Sequence, residues 1–442
     1  MNDKVSNRRV DTAQTVSDTS SVSRRRYLAA VGAGTAIGLA GCMGGSGGGS
    51  TIKIGGMYLI TGVASALGKA SEAAARTGVD AVNEDGGING NDVEIVIRGH
   101  GDDPAAQLKS LVQEERVDAL VGLTSSGVTL KNATAINQLG VPMTLTDIGT
   151  PYITEYDTDT YSDKASFKEN IFRTNANTAT NVYGIAEDAN ENHSGSRVAN
   201  IGPGYAYGEQ VWSYFQAYSD GLGAGHEYVA SEFPSLGATD MTPQINAIMD
   251  ADPDVVFSGF WAGDAVTFFK QGTEQGLFDQ VDQVYMTLAM DPTVFSALGS
   301  KMPEDVKIAG WYWHSAFDNE TNTDFLEKYK DHVENLPAIP SFTGGSAYSA
   351  IWMYKKAMEA AGGTKTGDVV SELEGIEVSG PRGTWKMDPE SHQANAPSVL
   401  GVSSSDDDVP YDGLGLSNNK QVTLTRDEST SLLEGSGFPP GL

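Results

Sequence analysis

"TIKIGGMYLITGVASALGKASEAAARTGVDAVNEDGGINGNDVEIVIRG" occupies residues 51–99. Its first stretch, TIKIGGMYL (51–59), is a short apolar run of the kind that forms a strand. The period then changes. Across residues 65–84, Leu67, Ala70, Ala74, Val79 and Val82 fall on or near one face of a helix. Gly86 and Gly87 supply the stop, and VEIVIR (93–98) is the next strand. Strand, helix, strand is the unit of a parallel sheet covered by helices.

The alternation continues outward. Pro104 opens PAAQLKSLVQEE, where proline in a first helical turn is favourable. DALVGL (118–123), a helix from about Ser126, and VPMTLT (141–146) follow. A second set begins at RVANIG (197–202) and a helix near 208–221. It runs through YVASEF, TPQINAIM, DVVFSGF (254–260), a helix from near Gly263, VDQVYMT (281–287), PTVFSAL and VKIAGWYW (306–313). Two such sets predict an α/β protein of two lobes with parallel sheets. The late helix GGSAYSAIWMYKKAMEAAGG (344–363) has too few strands near it for a third domain and is expected to return to the first lobe.

In open α/β sheets, ligands bind beyond the carboxyl ends of the strands. Four strand-end loops therefore matter. VGLTSSGVT (121–129) places Thr124, Ser125 and Ser126 between a strand and a helix. Serine there is often only an N-cap. Hydroxyls and free helix N–H groups also bind anions such as a carboxylate. LTDIGTP (145–151) has the Asp, Gly and Pro of an ordinary turn. IGPGYAYGEQ (201–210) has glycines spaced GxGxxxG, which is not the dinucleotide spacing, and aromatic side chains that can lie over a ligand. SGFWAGDA (258–265) is expected to expose Phe260 and Trp261.

Signs of catalysis are few. The six histidines are scattered without metal-ligand spacing, there is no Walker motif, and no nucleophile–base pair stands out. DTDTYSD (157–163) alternates acids but lacks the glycine and terminal glutamate of a calcium loop. No metal or cofactor is expected.

The single cysteine, Cys42, lies in IGLAGCMGGSGGGST (37–51). It has no partner for a disulfide, and the Gly/Ser tract after it argues against a core position. Upstream, SRRRYLAA sets Arg24 and Arg25 before Tyr27 and Leu28, which resembles a twin-arginine export signal. Residues 28–40 are weakly apolar and too short for the ~30 Å core of a bilayer, as expected of a signal. Leu39-Ala40-Gly41-Cys42 matches a lipoprotein cleavage box, which implies a lipid on Cys42. The expectation is a signal at 1–41, a leash at 42–50, and a protein held on the outer face of the cell membrane.

Residues 1–41 carry six basic and three acidic residues of the chain's 29 Lys/Arg and 58 Asp/Glu, so the remainder has a net charge of −32. Such a surface repels nucleic acid and anionic lipid. With 39% hydrophobic residues the chain is not disordered. Acidity of this degree in a folded chain resembles the proteins of salt-loving archaea.

Taken together, TGVASALGKASEAAARTGVDAVNEDGGINGNDVEIVIRGHGDDPAAQ, VGLTSSG, IFRTNA, YAYGEQ and GTW resemble, in order, the branched-chain amino-acid-type solute-binding proteins of ABC importers. The resemblance runs from about 52 to 395. It implies a type I periplasmic-binding-protein fold, with two Rossmann-like lobes joined by three crossovers near 173–177, 311–318 and 380–388. Lobe 1 would comprise 51–174 with 315–384, and lobe 2 would comprise 175–314 with 385–442. By position, Ser125, Ser126, Gly149 and Thr150 would hold a ligand carboxylate, with Tyr207 and Phe260 approaching from lobe 2. The family's acidic partner for a ligand ammonium falls at Ala289, with Asp291 two residues on. The family's usual aromatic is Leu67 here. The ligand is thus a branched-chain or related amino acid, or else an aromatic or aliphatic carboxylate or an amide. The implied partners are that small molecule and the permease subunits, with a chemotaxis transducer as the alternative and a surface hydrolase as the reading from another class.

At molar salt the Debye length is about 3 Å, which screens the self-repulsion of so acidic a chain. The fold is therefore expected to weaken in dilute buffer. Near-UV circular dichroism should fall on dialysis from molar KCl to low salt, and its full retention would contradict this.

Overall fold

A computed structural model describes residues 51–62, 64–154, 169–405 and 409–439. Arg24, Arg25, Cys42, the leash and the acidic loop 157–163 lie outside the described residues.

Five strands form the first sheet: β1 (Ile52–Tyr58), β2 (Val93–Gly99), β3 (Ala119–Thr124), β4 (Met143–Asp147) and β5 (Ile171–Arg173). Their order is β2-β1-β3-β4-β5, and every ladder is parallel. The second sheet repeats the plan with β6 (Arg197–Ile201), β7 (Glu227–Glu232), β8 (Val255–Ser258), β9 (Gln283–Thr287) and β10 (Lys307–Gly310) in the order β7-β6-β8-β9-β10. A hairpin follows, β11 (Glu377–Gly380) with β12 (Gly383–Lys386). The chain then adds β13 (Ser398–Ser405) and β14 (Leu414–Val422) antiparallel along the free edge of β10. The α/β class with mostly parallel sheets is as the sequence predicts. The two hairpins and the helices Glu320–Tyr329, Thr366–Leu373 and Arg426–Leu432 are additions that the pattern reading did not anticipate.

The apolar runs form strands because helices cover both faces of each sheet. Every residue of β3, β4 and β8 is buried, the pattern of central parallel strands. The helix Ser65–Glu84 buries Leu67, Ala70, Ala74, Val79 and Val82. The helix Gly344–Ala361 lies against it. At Gly78 a Cβ would stand 3.1 Å from Ile351 and from the Tyr348 carbonyl, a tight contact that glycine avoids. The Tyr354 hydroxyl donates to the Leu120 carbonyl at 2.7 Å and accepts from Thr144 at 2.8 Å, fixing the late helix to β3 and β4.

The chain leaves the first sheet after β5, comes back to it after β10, and leaves again after β12. Side chains tie these passages together. Arg173 donates to Gln393 and to the Thr150 carbonyl, and Arg382 donates to the Thr174 carbonyl. No helix among the described residues is long and apolar enough to cross a membrane.

Candidate ligand-binding site

Both sheets send their carboxyl ends to one cavity. Its walls are Thr124, Ser125 and Ser126 at the end of β3, Asp147 and Gly149 at the end of β4, Tyr205 and Tyr207 after β6, Trp261 after β8, Leu288 after β9 and Trp311 after β10. Phe342 joins them from just ahead of the helix Gly344–Ala361. The cavity volume is ≈ 290 Å³, at the small end for ligand pockets. The cavity therefore suits a small solute.

The first-lobe wall is a donor surface. In β3–β4 register Thr124 lies level with Asp147, which brings the two strand ends together. Ser125 caps the helix Ser126–Gln138 with φ 81° and makes no side-chain capping bond. Leu123 has φ 62°, and Leu288 on the opposite wall has φ 58°. Left-handed backbone costs a non-glycine residue roughly 1–3 kcal/mol and gathers at functional sites. The Ser126 hydroxyl accepts the Thr150 N–H at 3.1 Å, which leaves its own proton free to donate. The first N–H groups of the helix and its dipole point the same way, favouring an anion. Behind them, the His100 ring accepts the Thr124 N–H at 3.3 Å, and burial pushes its pKa down to about 4, so it stays neutral.

The second-lobe wall is aromatic. Trp261 Nε1 donates to the Tyr205 hydroxyl at 3.1 Å, and the Tyr207 and Thr287 hydroxyls share a bond of 2.6 Å. Burial pushes both phenols up, so both remain neutral. Trp311 meets Phe342 edge to face at 5.2 Å. Trp311 Nε1 on the wall is buried without a hydrogen-bond partner among the described residues, while the Thr124 hydroxyl and the Asp147 carboxyl, level across the two strand ends, have only each other. Burial raises the Asp147 pKa well above the ordinary carboxylate range. The Thr124 hydroxyl lowers it and nearby Asp291 raises it further.

Of the residues singled out in the sequence, Ser125, Ser126, Gly149 and Tyr207 come together in the cavity. Thr150, Phe260 and Asp291 do not line it. The Thr150 hydroxyl accepts the Tyr152 N–H at 3.3 Å and caps the turn Pro151–Ile153, while its N–H and carbonyl serve Ser126 and Arg173. Phe260 is not exposed. Neighbouring residues of an extended segment face opposite ways, so its ring packs inward on Phe268 at 5.4 Å and Trp261 takes the wall. Asp291 caps the helix Pro292–Leu298 by accepting the N–H and hydroxyl of Thr293. Leu67 and Ala289 are buried elsewhere. The sequence reading gave no role to Asp147, Leu288, Trp311 or Phe342. All but Phe342 end a strand or follow one closely, so the strand-end rule carried a signal for them.

Residues 51–408 match a family profile described as "Periplasmic binding protein". "Leu/Ile/Val-binding protein homolog 4" of Brucella abortus (strain 2308) is 23% identical over 428 residues, covering 94% of this chain and 98% of that protein. Among solved structures, a solute-binding protein of an ABC transporter from R. palustris, in complex with 4-hydroxybenzoate, superposes with a TM-score of 0.72 at 20% identity, covering 84% of this chain and 97% of that one. A leucine binding protein from Thermotoga maritima superposes with a TM-score of 0.68 at 19% identity, covering 82% and 98%.

The raised pKa of Asp147 has a consequence for stability. The unfolded chain releases this proton in the ordinary carboxylate range, near 3.9, while the folded protein still holds it. The group's contribution to stability therefore falls as pH rises through that range and above. Asp147→Asn should raise the unfolding midpoint of solute-free protein at neutral pH, and the gain should vanish toward pH 3.5. Thermal melts of both proteins across that interval in molar KCl check this. A difference independent of pH would contradict it.

Proposed function

The chain belongs to the periplasmic binding protein family, and from that premise we propose that it is the solute receptor of an ABC importer on the outer face of the cell membrane. It would be exported by the twin-arginine signal at Arg24 and Arg25 and tethered by lipid on Cys42. One acyl chain anchors only marginally and two hold stably, so the proposed tether is a doubly acylated cysteine. The ligand reading is a small solute bearing a carboxylate. The observation that carries it is the division of labour in the cavity: hydroxyls and a helix start on one side, aromatic rings on the other. Neutral donors bind a carboxylate without a buried counter-cation, and exclusion of water strengthens those bonds. In the relatives' names the ligand kinds are Leu/Ile/Val and 4-hydroxybenzoate, each a small carboxylate with an apolar body. Delivery to permease subunits fits such a receptor, and a chemotaxis transducer is the second partner of the same kind.

Native mass spectrometry of the protein purified from its own cells should show one small retained solute. Ser126→Ala should lower its occupancy. One hydrogen bond to a charged group contributes roughly 1.5–3 kcal/mol, so affinity should fall about 10- to 100-fold. An unchanged affinity would remove Ser126 from the site. Cys42→Ser should leave a folded protein that is released from the membrane fraction by a salt wash. A variant that stays membrane-bound would contradict lipid anchoring.

A further inference from the structure

Arg382 sits with Pro381 in the turn between β11 and β12 and is 1% exposed. Its Nη2 donates to the Thr174 carbonyl. Its Nε and Nη1 are buried and have no hydrogen-bond partner among the described residues. Burial lowers its pKa to about 9, which leaves it charged at neutral pH, and no carboxylate among the described residues opposes that fall. Arg173 is as deeply buried, but its Nε, Nη1 and Nη2 each meet an oxygen. A buried charge is costly unless it is paired and hydrogen-bonded. The chain has 58 acidic residues against 29 basic ones, yet it sets none of them against this guanidinium.

The surroundings add to the demand. The Arg382 stem lies over the start of the helix Gly344–Ala361. A Cβ on Gly345 would stand 3.1 Å from its Cγ and 3.3 Å from its Cδ. That helix is 18 residues long, with no acidic residue in its first turn and no side-chain cap. A helix start carries partial positive charge and favours anions over cations. A buried guanidinium there brings two positive groups together. Beside Gly345, the Ser346 hydroxyl is buried without a partner among the described residues. The Ser346 carbonyl accepts the Thr174 hydroxyl at 3.1 Å, so Ser346 and Arg382 meet at the same threonine.

We propose that Arg382 and the start of this helix form a binding site for a small monovalent anion of the halide class, held at Nε and Nη1 with the Ser346 hydroxyl as the neighbouring donor. A water molecule satisfies the two N–H groups but leaves the charge uncompensated. The site lies where the chain passes between the sheets. Thr174 follows β5 and Arg382 precedes β12. The Tyr312 ring, 3.0 Å from the same Cβ position on Gly345, follows β10. One anion thus neutralises the junction of all three passages. Neither Arg382 nor Ser346 lines the solute cavity, so the inference stands whichever solute that cavity takes.

The test uses bromide as the probe. Crystals of the protein purified from its own cells and soaked in molar KBr should give an anomalous peak beside Arg382 Nε and Nη1. Thermal melts in molar KCl, KBr and potassium methanesulfonate give a second reading. Exchanging methanesulfonate for a halide should raise the wild-type midpoint by roughly 2 °C more than that of Arg382→Met, since general salt effects act on both proteins alike. Bromide found only elsewhere, such as at the Ser126 helix start, would overturn the proposal. So would water alone at Arg382, or the same anion dependence in both proteins. Should Arg382→Met fail to fold, the bromide peak in the wild type decides by itself.

Discussion

The guanidinium of Arg173 is the tie on which the site depends. It sits at the end of β5, is fully buried, and donates to the Thr150 carbonyl, the Thr154 hydroxyl and Gln393. Thr150 belongs to the loop that offers Gly149 to the cavity and bonds Ser126 through its N–H. Gln393 belongs to the strand of chain returning to the second sheet, and its amide also donates to the Asn175 carbonyl. One side chain thus links the donor wall to the passages between lobes. Arg173 also takes the His392 carbonyl on its own N–H and gives its carbonyl to Ala394, so backbone and side chain act together. Hydrogen bonds in such a dry network are strong when complete and costly when one partner is lost.

The cavity is built on strain and on unmet polar demand. Leu123, Ser125 and Leu288 hold left-handed backbone at the strand ends, and Trp311 Nε1 is buried with no acceptor among the described residues. Neither feature helps the folded chain by itself. Both make sense where a ligand supplies the missing contacts, because binding then restores stability that the empty site lacks. The first lobe presents fixed donors on a helix start, and the second closes over them with rings. In the proposed account, the first lobe sets the carboxylate and the aromatic wall sets the size.

Much of this fold is written locally in the chain. The period change from 51–59 to 65–84 identifies the first βαβ unit, and the repeat of that alternation after 197 identifies the second sheet. Those signals survive because central parallel strands are apolar throughout and their helices carry a clear buried face. β13 and β14 are different. They lie at a sheet edge, carry serine and asparagine, and are strands because β10 offers them an edge to pair with. The site divides in the same way. Ser125 and Ser126 are legible because hydroxyls between a strand and a helix have a stated chemistry. Asp147 is not, since Asp-x-Gly-x-Pro reads as a turn until the level pairing of Thr124 with Asp147 places it on a wall. Phe260 and Trp261 could not be told apart in sequence, because which of two adjacent rings faces the cleft depends on the backbone between them.

The account turns on a small solute held between the two sheets with its carboxylate at the helix start. A crystal structure of the protein grown with the solute it retains from the cell tests this most directly. The account predicts density for that solute in contact with Ser126 and with the aromatic wall at Trp311 together. Density confined to another surface would contradict it.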